Sequence, residues 1–255
     1  MDGAAIRKTL QSLKMQSTFE QAYLKLRAFE HRVYTDEVVK ELPFLKDDQL
    51  LKIPSIKKEW KVRRRSAEKL ARYLSKRPPK SILEIGSGNG WLSHRLATAF
   101  SSAAVVATDI NEAELLQGQR VFGELHQNLT FKLVDIFSGV FANKFDCIIV
   151  AGSIQYFADV RKTINTLIDM LLPNGEIHLI DSPFYTLAEI GAAKVRSERY
   201  FDQCGCPEMR NYYHHHLWKE LEDFHFQVLY NPLLNWNRLG QKIRNDSPFP
   251  WLVIS

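Results

Sequence analysis

The chain has 255 residues, 45% hydrophobic and 25% charged, with a net charge of +5. These are the proportions of an ordinary soluble globular protein, long enough for one large or two small domains with a proper core. No apolar run reaches the ~18 residues of a membrane span, and no hydrophobic signal core opens the chain. A cytoplasmic protein with no membrane partner is expected.

The three cysteines, Cys147, Cys204 and Cys206, fit a reducing compartment. Cys204-Gly205-Cys206 lacks the second pair that a zinc site needs, so no metal is expected. Residues 1–17 are faintly basic and amphipathic. Asp2 and the short length argue against an organellar address.

Residues 1–56 form an N-terminal helical extension. Ile6, Leu10 and Leu13 make one helical stripe, and Phe19, Tyr23, Leu26 and Val33 a second. Leu42-Pro43 closes this region, and 46–54 reads as a connection. The main domain is expected over 57–255. A helix is predicted from about Lys58 to Ser75, packing through Trp60, Ala67, Leu70, Ala71 and Leu74. Arg63 and Arg64 fall where that stripe should continue. Between Lys57 and Arg77 there are ten Lys/Arg and two Asp/Glu. With no aromatic residues interleaved in an RNA-binding pattern, this excess reads as a solvated helix face rather than a grip on nucleic acid.

From Ser81 onward strands and helices alternate, which predicts a doubly wound α/β fold. Strands are expected at 81–85, 104–109, 130–135, 145–150 and 176–181. A helix packing through Val160, Ile164, Leu167 and Leu171 stops at Pro173-Asn174-Gly175. The segment 182–216 is too long for a plain connection and reads as an insertion with a helix near 187–201. A helix near 215–224, a strand at Phe226–Tyr230 and a last strand beginning at Pro250 complete the chain.

The chain is organised around Ser81–Leu92, a buried strand that runs through a glycine-rich turn into a helix. Glycines at 86, 88 and 90 leave bare backbone where a ligand could touch it, and the helix start adds unpaired N–H groups. A dinucleotide site wants G-x-G-x-x-G, but its third glycine position is Trp91, which argues against a nicotinamide-dependent oxidoreductase. Asp109 ends the second strand, 23 positions after Gly86, where a carboxylate can accept both hydroxyls of an adenosine ribose. Asp135 and Ile136 end the third strand. The fourth, Cys147–Val150, leads into Ala151-Gly152-Ser153 and Tyr156.

The pattern Glu84-x-Gly86-x-Gly88-x-Gly90 resembles motif I of the class I S-adenosylmethionine-dependent methyltransferases. The resemblance covers about 60–255. It implies a mostly parallel seven-stranded sheet with an antiparallel last strand, and S-adenosylmethionine as cofactor. It implies that Glu84 helps hold the methionine ammonium group and that the turn, Gly86, Ser87, Gly88 and Gly90, cradles the cofactor. Asp109 with Ile110 would take the ribose, and Asp135 with Ile136 the adenine. Ala151, Gly152 and Tyr156 would face the transferring methyl group.

No Asp/Asn-Pro-Pro-Tyr follows the fourth strand. This turns the reading from nucleobase or amide nitrogen toward O-, N- or C-methylation of a small molecule, by a monomer or homodimer. Two rivals stand beside it: an RNA-modifying methyltransferase gripping through 57–77, and a cofactor-binding relative without catalysis. Within the insertion, Tyr185, His214 and His215 are the candidate catalytic residues, because histidine suits proton transfer near neutral pH. The N-terminal helices are expected to close over the site as a lid or cap.

Overall fold

In the computed structural model, the structure describes residues 18–139, 141 and 144–255. The stripe through Ile6, Leu10 and Leu13 lies outside the described residues. Seven strands form one sheet: β1 (Ser81–Ile85), β2 (Ala104–Asp109), β3 (Leu129–Leu133), β4 (Phe145–Ala151), β5 (Leu171–Ile180), β8 (Phe226–Tyr230) and β9 (Trp251–Ile254), in the order 3-2-1-4-5-9-8. The pairs β1–β2, β1–β4, β2–β3 and β4–β5 are parallel, while β9 runs antiparallel to both β5 and β8. This is the expected sheet. Two further strands, β6 (Phe184–Tyr185) and β7 (His216–Leu217), pair with each other apart from it.

The central strands are apolar along their length because helices cover both faces. Ile82, Leu83, Ile148 and Ile149 are wholly buried, each contributing about 1.5–3 kcal/mol through its side chain. One face packs on α4 (Pro54–Leu74) and α5 (Trp91–Ala99), the other on α7 (Val160–Asp169). Local chemistry fixes the helix starts. Pro54 opens α4, where its missing N–H costs nothing. Asn111 caps α6 (Glu112–Phe122), its side-chain oxygen accepting the Glu114 N–H at 3.2 Å. Asp159 caps α7 through the Lys162 N–H at 2.9 Å.

The N-terminal segment is helical over 18–29 (α1), then at Asp36–Glu41 (α2) and Asp48–Leu51 (α3). α1 buries Ala22, Tyr23 and Leu26 against Phe201, Cys204, Cys206 and Met209. These belong to α8 (Leu187–Gln203) and the turn after it, within the insertion. The cysteines are therefore packing residues, and among the described residues no cluster of His, Cys, Asp or Glu could hold a metal.

Six local expectations are corrected. Val33 lies outside α1 and is exposed. The segment 46–54 contains the one-turn helix α3, capped by Asp47. β3 ends at Leu133, so Asp135 stands in the following turn, where it accepts the Phe137 N–H at 2.9 Å. Pro173-Asn174-Gly175 interrupts the pairing of β5 with β4 rather than preceding the strand. The expected helix near 215–224 is instead β7 followed by a single 3-10 turn at Trp218–Leu221. His216 pairs there with Phe184 and is buried, so the chain is held extended where its apolar spacing alone would suit a helix. The chain between β8 and β9, read as loop, contains α9 (Asn235–Arg244).

Candidate functional site

β1, β2 and β4 end side by side, and a cavity of about 490 Å³ opens at those ends. That lies within the range of small-molecule sites, about 300–1,000 Å³. In open parallel sheets this is where ligands bind. Gly86, Gly88, Asp109 and Asn111 line one side; Asp135 and Ile136 line another; Ala151, Gly152, Ser153 and Tyr156 come from the end of β4.

The turn after β1 has left-handed backbone at all three glycines, with φ of 68° at Gly86, 55° at Gly88 and 71° at Gly90. Side chains are excluded as well as strained. A Cβ on Gly86 would lie 2.5 Å from Ser153 Cβ, and one on Gly90 would lie 2.4 Å from the Phe131 ring. The turn is therefore bare backbone pressed between β4 and β3.

Asp109 ties this turn to β2. Its Oδ2 accepts the Gly88 N–H at 2.7 Å and its Oδ1 the Asn111 N–H at 2.8 Å. A carboxylate has about four acceptor positions, so capacity remains toward the cavity that Asp109 lines. Burial raises its pKa, and the Asn111 and Gly88 N–H groups work against that rise. Helix capping, the structural alternative for Asp109, falls instead to Asn111.

Glu84, Ser87 and Gly90 do not line the cavity. Glu84, which the resemblance gives a part in holding the methionine ammonium group, is 3% accessible, and its carboxylate accepts the Ser93 hydroxyl of α5. Burial pushes its pKa up to about 7. The Ser87 hydroxyl is buried without a hydrogen-bond partner among the described residues, a free donor within the turn.

The N-terminal helices supply wall residues that the sequence reading passed over. Phe19, Tyr23 and Arg27 of α1 line the cavity, as do Arg32, Tyr34 and, from α4, Glu59, Trp60 and Arg63. Tyr23 and Leu26 share a helical stripe, so Tyr23 reads as core; its hydroxyl instead accepts from Arg27 at 2.7 Å. Arg63 was legible only as a cation interrupting an apolar stripe. It donates Nε–H to Glu59 at 2.8 Å, and Glu59 also pairs with Arg32. Burial opposes the Arg63 charge, and Glu59 more than restores it. Glu114, on α6, lines the same side; burial raises it to about 7 against the pull of Arg27.

Tyr185, His214 and His215 are not brought into the cavity, and their expected place there is corrected. His214 gives its backbone N–H to the Gln155 carbonyl at 2.7 Å. His215 lies 2.9 Å from the Ser197 hydroxyl and packs on Tyr185 and Tyr213. Tyr213 packs between His215 and Tyr156, so that His215 stops one layer short of the wall. From the insertion, Tyr212 reaches the wall, edge-on to Phe19 of α1. No histidine or cysteine is among the described residues lining the cavity. The arrangement can bind an adenosine-like molecule at one end and hold charged groups between arginines and carboxylates at the other.

Residues 83–177 match the family model described as a methyltransferase domain. A malonyl-[acyl-carrier protein] O-methyltransferase of Acetivibrio thermocellus is 28% identical over 109 residues, 43% of this chain and 38% of that protein. A phosphoethanolamine N-methyltransferase of Triticum aestivum is 27% identical over 111 residues, 42% of this chain and 22% of that protein. The chain thus spans less than half the length of these curated relatives. Among solved structures, the plantazolicin methyltransferase BpumL in complex with SAH superposes with a TM-score of 0.54 at 17% identity, covering 92% of this chain and 99% of that one. The magnesium protoporphyrin IX methyltransferase of Synechocystis PCC 6803, with bound SAH, gives 0.53 at 18% identity, covering 78% and 85%. The structural likenesses speak for the fold.

Proposed function

We propose that this chain is a class I S-adenosylmethionine-dependent methyltransferase and transfers a methyl group from that cofactor to a small-molecule acceptor. The observation that carries the reading is Asp109: a half-buried carboxylate, fixed by the Gly88 and Asn111 N–H groups, with acceptor capacity left toward the cavity. The residues present fit the cofactor. Asp109 would take the ribose hydroxyls. Asp135 would meet the adenine amino group, and Ile136 its face. The turn, Gly86 to Gly90, would lie along the methionine portion. Arg63 would meet the methionine carboxylate, and Glu114 the positive end of the cofactor.

The cofactor supplies an electrophilic methyl group on a sulfonium. The protein supplies position and electrostatics. An in-line displacement needs the acceptor's lone pair held against the methyl carbon. Tyr156, Tyr23 and Tyr212 would bound that space with Phe19. Burial raises the Tyr156 and Tyr23 pKa values, so both phenols stay protonated and serve as donors. With no histidine on the wall, an acceptor that arrives already nucleophilic, such as a carboxylate or a neutral amine, suits this site better than an alcohol needing a strong base. The N-terminal helices close the cavity from above, and α1 acts as its lid. The test is S-adenosylhomocysteine formation with panels of carboxylic acids and amines, beside calorimetric titration of the cofactor. Binding without turnover on any acceptor would support the non-catalytic alternative. Absence of cofactor binding would refute the site.

A further inference from the structure

α9 is turned the wrong way round for a surface helix. Such helices bury an apolar stripe and expose polar residues. Trp236 and Ile243, one face apart by two turns, are 84% and 69% exposed. Leu233 and Leu234, just before the helix, are exposed too. Among the described residues, the side held to the protein is polar or bare: Gly240 is buried, Asn237 donates to the Asn231 carbonyl at 2.7 Å, and Gln241 donates to the Pro232 carbonyl at 2.8 Å.

The basic run that the cavity does not use lies beside it. Lys58, Lys61, Arg65, Lys69, Arg72 and Lys76 recur at spacings of three and four along α4 and its end, so they form one stripe. In the middle of the stripe, Asp246 binds Lys69 at 2.8 Å and Arg65 at 3.2 Å, and it binds Arg244 of α9 at 3.2 Å. One buried carboxylate thus pins the apolar helix to the basic one. Lys58, Lys61, Arg72 and Lys76 remain exposed, as does Arg238 on α9.

We propose that α9 and the basic stripe of α4 form a docking surface for an anionic lipid bilayer, with Trp236, Ile243, Leu233 and Leu234 entering the interface and the lysines meeting the headgroups. Apolar and cationic groups on one surface are what an interfacial helix requires, and a tryptophan suits that boundary. Nucleic acid would match the charge but leave four exposed apolar side chains without a use. The expectation of no membrane partner rests on the lack of a spanning run, and a helix lying in the interface needs none. Neither helix face belongs to the proposed methyl-transfer chemistry, so the two readings stand or fall separately.

The test is flotation of the whole protein with vesicles of phosphatidylcholine alone, or of phosphatidylcholine mixed with phosphatidylglycerol. Binding is expected only to the mixed vesicles and should weaken as salt rises. Trp236→Ser with Ile243→Ser should abolish flotation, and Lys61→Ser or Arg72→Ser should each weaken it roughly fivefold. All variants change exposed side chains, and thermal melting with cofactor titration verifies that each is folded. Equal flotation of the Trp236/Ile243 variant, or no flotation with anionic vesicles, would overturn the proposal. So would RNA binding that the basic-stripe variants lose while vesicle binding is absent.

Discussion

Asp109→Asn isolates the charge at the centre of the proposed cofactor site. The substitution keeps the shape of the side chain and replaces one acceptor oxygen by a donor NH2. In the parent, one oxygen holds the Gly88 N–H at 2.7 Å and the other the Asn111 N–H at 2.8 Å. An asparagine can keep only one of these, and its NH2 then opposes the other N–H. Toward the ligand, two ribose hydroxyls would lose a charged acceptor. Hydrogen bonds to charged groups contribute about 1.5–3 kcal/mol and neutral ones about 0.5–1.5. The difference over two bonds is about 2–3 kcal/mol, or roughly 30- to 150-fold in affinity. Calorimetric titration with S-adenosylhomocysteine measures this directly, and a thermal melt verifies that the variant is folded. An affinity within threefold of the parent in a folded Asp109→Asn protein would refute the ribose assignment.

Three further outcomes follow from the geometry. Gly90→Ala combines a φ of 71° with a Cβ placed 2.4 Å from the Phe131 ring, so denaturant melts should show a loss of at least about 2 kcal/mol; an unchanged midpoint would contradict the packing. Glu114, raised to about 7, is neutral below that pH and charged above it. Affinity for the cationic S-adenosylmethionine should therefore rise between pH 6 and 8, by at most about tenfold per unit, with a shallower rise for S-adenosylhomocysteine; a Glu114→Gln variant with the same slope would rule out this group. Asp246→Asn leaves three cations gathered around a neutral amide, so stability should fall by about 3 kcal/mol. Burial opposes the Asp246 charge, but Lys69 and Arg65 outweigh it and lower the pKa. Its stabilisation is thus present above the ordinary aspartate range and lost as pH falls through the lowered value, and the acid-induced loss should shrink in Asp246→Asn.

The sheet was legible because its chemistry is local and repetitive. Strands buried on both faces, such as Ile82–Ile85 and Cys147–Val150, are apolar but for Glu84, and the turns between them carry glycine, proline and aspartate. The cavity floor was legible for the same reason: each strand tip shows its polar residue in sequence. The roof was not. Tyr23 and Arg27 sit on a helix whose spacing announces only an amphipathic element, and nothing local says which part of the molecule it covers. Tyr185, His214 and His215 illustrate the opposite error. Their side-chain chemistry suits catalysis, but none of them lines the cavity, and Tyr213 stands between His215 and Tyr156. α9 escaped notice because Trp236, Leu239 and Ile243 are the only large apolar residues in its sequence, too sparse a stripe to read as a helix. The departures at β7 and α3 are small and come from pairing and capping that spacing cannot show.

The placement of β9 bears on how the molecule is made. It follows every other strand in chain order, yet it lies between β5 and β8 and is paired on both sides. A nascent chain emerging from the ribosome can assemble β3-β2-β1-β4-β5 from its own parallel units. It cannot join β8 to them until Trp251–Ile254 has been synthesised. Through that interval β5, with Ile177 and Leu179 at its centre, presents an open apolar edge, the kind of surface on which chains associate wrongly. Chaperone dependence and loss of soluble yield should therefore concentrate in truncations and substitutions at 251–254, none of which lines the cavity.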